Sequence, residues 1–356
     1  MSVGGWDGIL LASYGGPEGQ DEVIPFLRNV TNGRGIPDER LEEVAHHYRV
    51  NGGISPITGQ NRALKAALEA ELERRGIDLP IWFGNRNWGP YFTDAIREAD
   101  DAGATRILAL VTAAYTSYSG VGQYLEDFDR ALIETGTAGR IEVHKLREFF
   151  DHPGFVGPFV EGVAAAAARL AERGVPATDV HLQFVTHSIP VKDAVESGPG
   201  FGEGGAYVAQ HRAVARVIAE QAMPGTDWSL VYQSRSGAPH TPWLEPDINE
   251  ALAERAEAGY RGVIIVPIGF ISDHMEVAWD LDTEAIETAA EFGLHVERVP
   301  TPGTHPAFVA GLVDLIEERL HDVDVAERPH LTELGPWADL PPRTGVAALH
   351  GSAGRP

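Results

Sequence analysis

Two segments of the sequence carry ionisable side chains directly after runs of residues typical of buried strands. In the first, the β-branched run from Gly262 to Ile268 is followed by Asp273, His274 and Glu276. Side chains at the carboxyl ends of parallel strands line the ligand-binding crevice of open α/β sheets. Imidazole nitrogen and carboxylate oxygen both accept protons, and both coordinate divalent transition metals. This segment therefore predicts a site for proton transfer or for handling a metal ion.

Carboxylates continue along the helix that this segment is predicted to open. Glu276, Asp280 and Glu284 are spaced four residues apart, so a regular helix would present them one above another on a single face. Like charges at that spacing cost about 0.2–0.5 kcal/mol per pair in a helix, and a cation moving along the row would remove this cost. The same acids also fit a solvated helix face, with Asp273 and Glu276 as a capping box, so both interpretations remain open.

The second segment is the apolar run from Val180 to Thr186, which ends in His187 and is followed by Ser188 and Pro190. The proline stops regular strand pairing at this point. A lone histidine at a strand end is usually a structural hydrogen-bonding group. The presence of two such segments in one chain changes the balance between the structural and the functional interpretation of each.

Taken together, the two segments resemble signature motifs of the ferrochelatases, in which a His-Ser-(Ile/Leu)-Pro strand end faces a Gly-Phe-x-x-Asp-His-x-Glu helix start. In this chain these motifs are residues 187–190 and 269–276. The resemblance extends to Leu-Ala-Ser-Tyr-Gly-Gly-Pro at 11–17, Gly-Gly-Ile-Ser-Pro at 52–56, and the segments 232–237 and 242–246. Each motif alone is weak, but their shared order along most of the chain is specific.

The resemblance implies an enzyme that inserts ferrous iron into a porphyrin, with Fe²⁺ as a substrate and no prosthetic group. It assigns His187 and Glu276 as the catalytic pair that accepts pyrrole protons and contacts the metal. Asp280 and Glu284 would form a route for metal or protons. Tyr14 would lie under the porphyrin plane and ligate the iron of the product, as phenolate oxygen does in some haem proteins.

Tyr14 also favours the coproporphyrin III branch of the family, which is found in Gram-positive and actinobacterial relatives. Coproporphyrin III carries four propionates, which need hydrogen-bond donors in so acidic a protein. Tyr48, Ser55 and Tyr124 match the family region that contacts these propionates. The resemblance therefore predicts a porphyrin-binding set built from Tyr14, Tyr48, Ser55 and Tyr124.

One position in this region departs from the family pattern. His47 stands where relatives often have arginine, and it is included in the predicted porphyrin-binding set. Histidine is only partly charged at neutral pH and cannot form the two-pronged arginine–carboxylate contact. Propionate binding would then be weaker, or it would shift to Arg34, Arg49 or Arg86.

Other functions remain open. Protoporphyrin IX is an alternative substrate, and cobalt or nickel chelation of another tetrapyrrole would use the same kind of N/O site. A non-catalytic porphyrin or haem carrier would need Tyr14 and a cleft, but not His187 opposed by Glu276. A zinc or iron hydrolase could use His187, His274 and Glu276, yet His274 and Glu276 are only two residues apart and would not share a helix face.

Composition excludes several classes of protein. The 356 residues include 28 basic and 52 acidic side chains, giving a net charge of −24, which argues against nucleic acids and anionic membranes as partners. The chain has no cysteine, so it cannot hold the [2Fe–2S] cluster that many relatives carry on four cysteines. No apolar run is long enough to span a bilayer and no leader precedes the first strand, so we expect a cytoplasmic monomer without stable membrane association.

Predicted strands and helices alternate regularly along the chain, and the candidate site residues follow the strands. Eight apolar runs alternate with segments of helical period, which predicts βαβ units and parallel sheets in an α/β protein. The runs fall into two sets of four, so we expect two similar doubly wound halves, flavodoxin-like or Rossmann-like, facing each other across a cleft. The resemblance implies the same class II chelatase architecture.

These elements also suggest how the chain is divided. The N-terminal half is expected at residues 1–150 and the C-terminal half at 151–325, with a final helix at Pro306–Leu320 that packs back on the body. Residues 326–356 are rich in Pro, Gly and Arg without any period, which predicts a loosely ordered tail.

Overall fold

The computed structural model describes residues 3–31, 35–236 and 240–346. Its strands are β1 (Gly8–Ser13), β2 (Ile81–Asn85), β3 (Arg106–Val111), β4 (Glu142–Lys145), β5 (Val180–His187), β6 (Trp228–Gln233), β7 (Gly262–Val266) and β8 (His295–Arg298). They form two parallel sheets with the orders β2-β1-β3-β4 and β6-β5-β7-β8. Both halves therefore repeat one doubly wound topology, as predicted.

The strands are continuous apolar runs because helices cover both faces of each sheet. β1 and β5 are inner strands of their sheets, as are β3 and β7, and every residue of β1 is buried. The register is set by pairs such as Leu10 with Trp82 on one side and with Ala109 on the other. Because β1 and β5 are inner strands, Tyr14 and His187 lie within the carboxyl edge of their sheets rather than at its ends.

Helices connect successive strands. They are α1 (Val23–Val30), α2 (Asp38–Val50), α3 (Pro56–Arg74), α4 (Phe92–Asp101), α5 (Gln123–Glu134), α6 (Pro153–Glu172), α7 (Val191–Glu196), α8 (Gly205–Ala222), α9 (Ile248–Glu257), α10 (Met275–Trp279), α11 (Ala285–Glu291) and α12 (Pro306–Leu320). Five-residue π-helical turns precede α5 (Tyr118–Gly122) and join α10 to α11 (Asp280–Glu284). Short 3₁₀ turns lie at Gln20–Glu22, Ala177–Asp179, Pro199–Phe201 and Val325–Glu327.

One hydrophobic core crosses both halves. It contains Leu11 of β1 and Phe184 of β5, together with Phe155 and Phe159 of α6. Helix α6 packs against α12 and α8 and begins with Pro153 in its first turn, where a missing N–H costs nothing. In the described part of the chain, α6 is also the one helix long and apolar enough, by length and composition, to cross a membrane. Its phenylalanines are buried in this core.

The C-terminal segment differs from the loosely ordered tail expected from its composition. Arg343 exchanges backbone hydrogen bonds of 2.8 and 2.9 Å with Val143 of β4, so it extends the edge of the first sheet. Leu331 N–H donates to the Asp151 carbonyl at 2.9 Å. The expectation of a loose tail is thus wrong for residues 326–346, because edge-strand pairing orders a segment that has no hydrophobic period of its own. Residues 347–356 lie outside the described part.

The buried histidines make stability depend on pH. Burial lowers the pKa of His181 to about 4, with the charge of Arg255 adding to the effect. The unfolded chain takes up this proton near pH 6.5, so the folded state loses stability as pH falls from about 6.5 towards 4. We expect the free energy of unfolding in urea to fall less steeply across this range in His181→Gln than in the wild type. Equal slopes for the two proteins would contradict the assignment.

Candidate active site

The two strand-end segments meet in the structure. His187 is the last residue of β5, and Glu276 lies in the first turn of α10, after β7. The imidazole Nε2 lies 3.4 Å from Glu276 Oε2, and His274 Nδ1 lies 3.7 Å from the same oxygen. The side chains of His187 and Glu276 remain 31% and 47% exposed, so solvent and a ligand can reach both.

Local hydrogen bonds fix the orientation of His187. Its Nδ1 lies 2.5 Å from the carbonyl oxygen of Ser188, which can only accept, so Nδ1 carries the proton and Nε2 faces Glu276. The Ser188 hydroxyl in turn donates to the Leu244 carbonyl at 2.8 Å. The imidazole is therefore held by the main chain, with its second nitrogen directed at a carboxylate.

The pair shifts the pKa of both groups. Burial opposes the charged form of each, but the hydrogen bond and the charge of Glu276 raise the pKa of His187. The same contact, with the charge of His274 assisting, lowers the pKa of Glu276 to about 2. The contact therefore favours an imidazolium facing a carboxylate over two neutral groups. A cation that approaches Glu276 would release the proton of His187, because it would replace the partner that holds this proton.

The loop before α10 has a different role from the one expected. Asp273 does not cap the helix, because its carboxylate accepts hydrogen bonds from Arg298 Nη2 at 2.5 Å and from Thr301 Oγ1 at 3.1 Å. Its backbone N–H donates to Gln60 Oε1 of α3 at 2.8 Å, a bond between the two halves. A Cβ on Gly269 would lie 2.1 Å from Thr186 Oγ1, so glycine is required where this loop crosses β5.

The row of carboxylates does not follow a regular α-helix. Asp280 to Glu284 form a π-helical turn, and such wider turns are frequent at functional sites. Asp280 accepts hydrogen bonds from Ser234 Oγ and, at 3.3 Å, from Gln233 Nε2. Burial, together with the charges of Glu276 and Glu284, raises the pKa of Asp280 to about 7. The three acids are thus close enough to affect one another, although the predicted single α-helical face is wrong.

Ser234 reaches Asp280 from an unusual backbone conformation. Its φ is +60°, in the left-handed region that non-glycine residues rarely adopt. Strained residues of this kind persist where the surrounding structure holds them, and they are concentrated at functional sites. Together with Gln233, the last residue of β6, Ser234 brings a third strand end of the C-terminal sheet to the site.

An aromatic stack joins the two halves beside this row. The rings of His47 on α2 and Trp279 on α10 are parallel within 6° and their centroids are 4.1 Å apart. Trp279 Nε1 donates to Glu284 Oε1 at 2.8 Å. His47 thus stacks on an indole ring, and it cannot make the two-pronged contact with a carboxylate that an arginine at this position would make.

The N-terminal half contributes two tyrosines to the same place. Tyr14 follows β1 and is 38% exposed, whereas Tyr48 of α2 is 7% exposed. Burial, followed by the charges of Glu276 and Tyr14, raises the pKa of Tyr48 well above its ordinary value. Tyr48 therefore lies near groups from both halves, which means that the carboxyl edges of the two sheets meet here.

Two other predicted porphyrin contacts are buried. Ser55 is 3% exposed and packs against Gly16. Tyr124 is 4% exposed, and the guanidinium carbon of Arg86 lies over its ring, 4.8 Å from the ring centroid. That guanidinium also pairs with Asp127 at 2.8 Å.

Three arginines were expected to bind propionates in place of an arginine at position 47. Two of them already pair with carboxylates, and the third lies outside the described residues. Arg86 is held by the contacts given above. Arg49 pairs with Glu42 at 2.5 Å. Arg34 lies outside the described residues. Within residues 3–31, 35–236 and 240–346, no three His, Asp or Glu side chains form a closed metal-binding cluster.

Sequence reasoning missed Trp279, and it included Ser234 only as part of the matching segment 232–237. Trp279 lies in the helix just after Glu276, but nothing local indicates that its partner is His47 on a distant helix. Ser234 follows a predicted strand end, which is the signal that could have linked it to the site. Its contact with Asp280 depends on how β6 and the π-helical turn approach each other.

Comparisons with known proteins identify the family of this chain. A family model described as "Ferrochelatase" matches residues 6–320. The coproporphyrin III ferrochelatase of Leifsonia xyli is 62% identical over 347 residues, covering 94% of this chain and 89% of its own length. The protein of the same name from Streptomyces griseus is 52% identical, covering 95% of this chain and 92% of its own length. The resemblance stated from the motifs is thereby confirmed.

Solved structures support the fold. SirB from Bacillus subtilis with Fe³⁺ matches with a TM-score of 0.51 at 14% identity, covering 89% of this chain and 96% of SirB. At that identity the likeness concerns the fold alone. It agrees with the two facing doubly wound halves described above, and the predicted fold class is confirmed.

Proposed function

The chain belongs to the ferrochelatase family, and from this premise we propose that it inserts ferrous iron into coproporphyrin III to give iron coproporphyrin in haem biosynthesis. The observation that carries the proposal is the His187–Glu276 pair at the carboxyl edge of the C-terminal sheet. The tyrosines of the N-terminal half lie next to this pair. The close relatives named coproporphyrin III ferrochelatase support the choice of substrate.

The reaction exchanges two protons for one metal ion. Iron binds the four pyrrole nitrogens while two pyrrole N–H protons leave, so the site must accept protons and deliver Fe²⁺. When it is neutral, His187 Nε2 accepts the two pyrrole protons one after the other, releasing the first towards solvent before it takes the second, and Glu276 stabilises the imidazolium formed each time. Fe²⁺ contacts the same two side chains before transfer. Such general-base contributions are typically worth about 10²–10⁴-fold in rate.

The acidic row then serves as a route to and from solvent. Asp280, with a pKa of about 7, both gains and loses a proton near neutral pH. Ser234 and Gln233 hold its carboxylate next to Glu276, which continues the path from His187. Glu284 extends the path to the side chain of Trp279. Oxygen ligands of this kind suit labile handling of Fe²⁺.

Tyr14 is proposed as the axial ligand of the product iron. Its side chain is 38% exposed just after the end of β1, and it lies close enough to Tyr48 to affect the pKa of that phenol. The His47–Trp279 stack offers a flat aromatic surface beside the same place. Tyr48, Ser55 and Tyr124 stay predictions as porphyrin contacts, and because all three are buried, a propionate reaches them only if the surrounding loops move.

We also propose that the chain works without a prosthetic group, as a cytoplasmic monomer with no stable hold on membranes. Having no cysteine, it has no thiolate ligands for an iron–sulfur cluster, and the His187–Glu276 chemistry does not call for one. The net charge of −24 supports the absence of a stable association with anionic lipid surfaces.

Anaerobic iron insertion tests the function directly. The purified protein is mixed with Fe²⁺ and either coproporphyrin III or protoporphyrin IX, and loss of the free-base spectrum is followed. We expect turnover with coproporphyrin III and little with protoporphyrin IX. Faster turnover with protoporphyrin IX would overturn the substrate, and tight binding without insertion of iron would indicate a carrier. Running Co²⁺ and Ni²⁺ in parallel tests iron as the metal.

A further inference from the structure

Tyr207 of α8 contacts the main chain at the end of β5, behind the reactive pair. Its hydroxyl donates to the carbonyl oxygen of His187 at 2.9 Å. The Thr186 hydroxyl lies 2.7 Å from the same phenol oxygen. A phenol has one proton, so Tyr207 donates to His187 while Thr186 donates to Tyr207. The last two residues of β5 are thus joined through one buried hydroxyl.

The sheet itself supports this end of β5 on one side only. Pairing with β7 stops at Phe184, whereas pairing with β6 continues to His187. The Tyr207 hydroxyl therefore supplies a hydrogen bond where the β7 ladder has already ended. Since the imidazole is hydrogen-bonded to the carbonyl of the next residue, Ser188, movement of the main chain here would move the imidazole as well.

The ring of Tyr207 is firmly placed. It is 6% exposed, and its backbone N–H donates to Ser197 Oγ at 3.0 Å. The imidazole of His211 packs against it edge-on with the ring centroids 4.4 Å apart, and His211 Nδ1 donates to the Tyr207 carbonyl at 2.7 Å. A phenol held in this way can restrain the strand end to which it is bonded.

We propose that Tyr207 is a positioning residue, which fixes the carboxyl end of β5 and thereby sets His187 Nε2 against Glu276. This inference rests on the proposed function, because it assigns His187 to the chemistry. Misplacement of a reacting group by about 1 Å can lower a rate by about 10²-fold. Partners that orient a metal-contacting histidine typically contribute about 10–100-fold to activity.

The chain provides a matched control. Tyr115 packs on the same imidazole, stacked on His211 at 3.5 Å, and is also buried. Among the residues that the structure describes, its hydroxyl has no hydrogen-bond partner, unlike that of Tyr207. Removing either hydroxyl leaves an aromatic ring of the same shape, so the pair separates the hydrogen bond from the packing.

The experiment compares Tyr207→Phe with Tyr115→Phe. We expect Tyr207→Phe to lower kcat for Fe²⁺ insertion into coproporphyrin III by about 10–100-fold, with the Kd for the porphyrin unchanged. Tyr115→Phe should keep the wild-type kcat. An active wild type with equal kcat for the two variants would overturn the inference, whereas a wild type that inserts no iron would instead overturn the proposed function.

Substitutions of Thr186, whose hydroxyl donates to Tyr207, provide a second test if Tyr207→Phe folds poorly. Thr186→Val removes the donor to Tyr207 but keeps the branched shape, and Thr186→Ser keeps the hydroxyl. We expect Thr186→Val to lose more kcat than Thr186→Ser at equal porphyrin affinity. Equal losses in the two variants would count against a role for this hydrogen-bonded connection.

Discussion

Replacing His187 by alanine is expected to lower the rate of iron insertion by about 10²–10⁴-fold, the usual contribution of a positioned general base. The imidazole is the group whose Nε2 faces Glu276, and no other side chain has that contact together with an anchored Nδ1 in the described residues. Coproporphyrin binding should persist, because Tyr14 and the His47–Trp279 stack are unaffected. The measurement is a single-turnover rate with Fe²⁺ in excess, beside porphyrin binding by fluorescence quenching.

A histidine at the other end of the same strand serves as the control. His181 is buried at the start of β5, where its Nε2 lies 3.0 Å from Ser229 Oγ. His181→Gln should insert iron at the wild-type rate, even where its stability differs. Unchanged insertion by His187→Ala, with unchanged porphyrin affinity, would remove His187 from the mechanism.

Replacing Glu318 by alanine is expected to reduce the free energy of unfolding by about 3–5 kcal/mol, the usual effect of leaving a buried charge without its partner. Arg147 and Glu318 form a two-pronged pair with both N–O distances 2.9 Å. Their exposed fractions are 2% and 5%. Arg328 of the C-terminal segment lies 3.6 Å from the same carboxylate. Urea unfolding followed by fluorescence measures the change.

Two further variants separate the buried charge from a general effect of substitution. Glu43→Ala removes an exposed pair with Arg40, whose side chains are 61% and 63% exposed, and should change stability by about 1 kcal/mol or less. Combining Arg147→Met with Glu318→Leu should recover most of the loss, since replacing a buried pair by apolar groups is often neutral. A small loss in Glu318→Ala alone would mean that Arg147 is satisfied by carbonyls such as that of Pro329.

Much of the fold could be predicted because its signals are local. Strand and helix periods, and start signals such as Pro306 in the first turn of α12, lie within short windows of sequence, and α12 has the predicted bounds. The prediction of a loose C-terminal tail was wrong because that segment is ordered by contacts with residues far away in the sequence. Arg343 is ordered by pairing with Val143, a contact between parts of the chain that share no local pattern.

The sequence by itself determined which groups are available for chemistry and that they follow strand ends. His187 and Glu276 each follow an apolar run, so parallel-sheet topology alone brings them to one edge of the sheet. The absence of cysteine likewise follows from the sequence and excludes a thiolate-held cluster. These properties need no knowledge of distances between remote side chains.

The contacts among those groups arise only in the folded chain. The 3.4 Å separation of His187 from Glu276, the stack of His47 on Trp279 and the burial of Tyr48 all join distant residues. Packing also widened the helix at Asp280 and raised the pKa of that carboxyl. Such features depend on sub-ångström placement and desolvation, which result from the whole packed core and which no short stretch of sequence encodes.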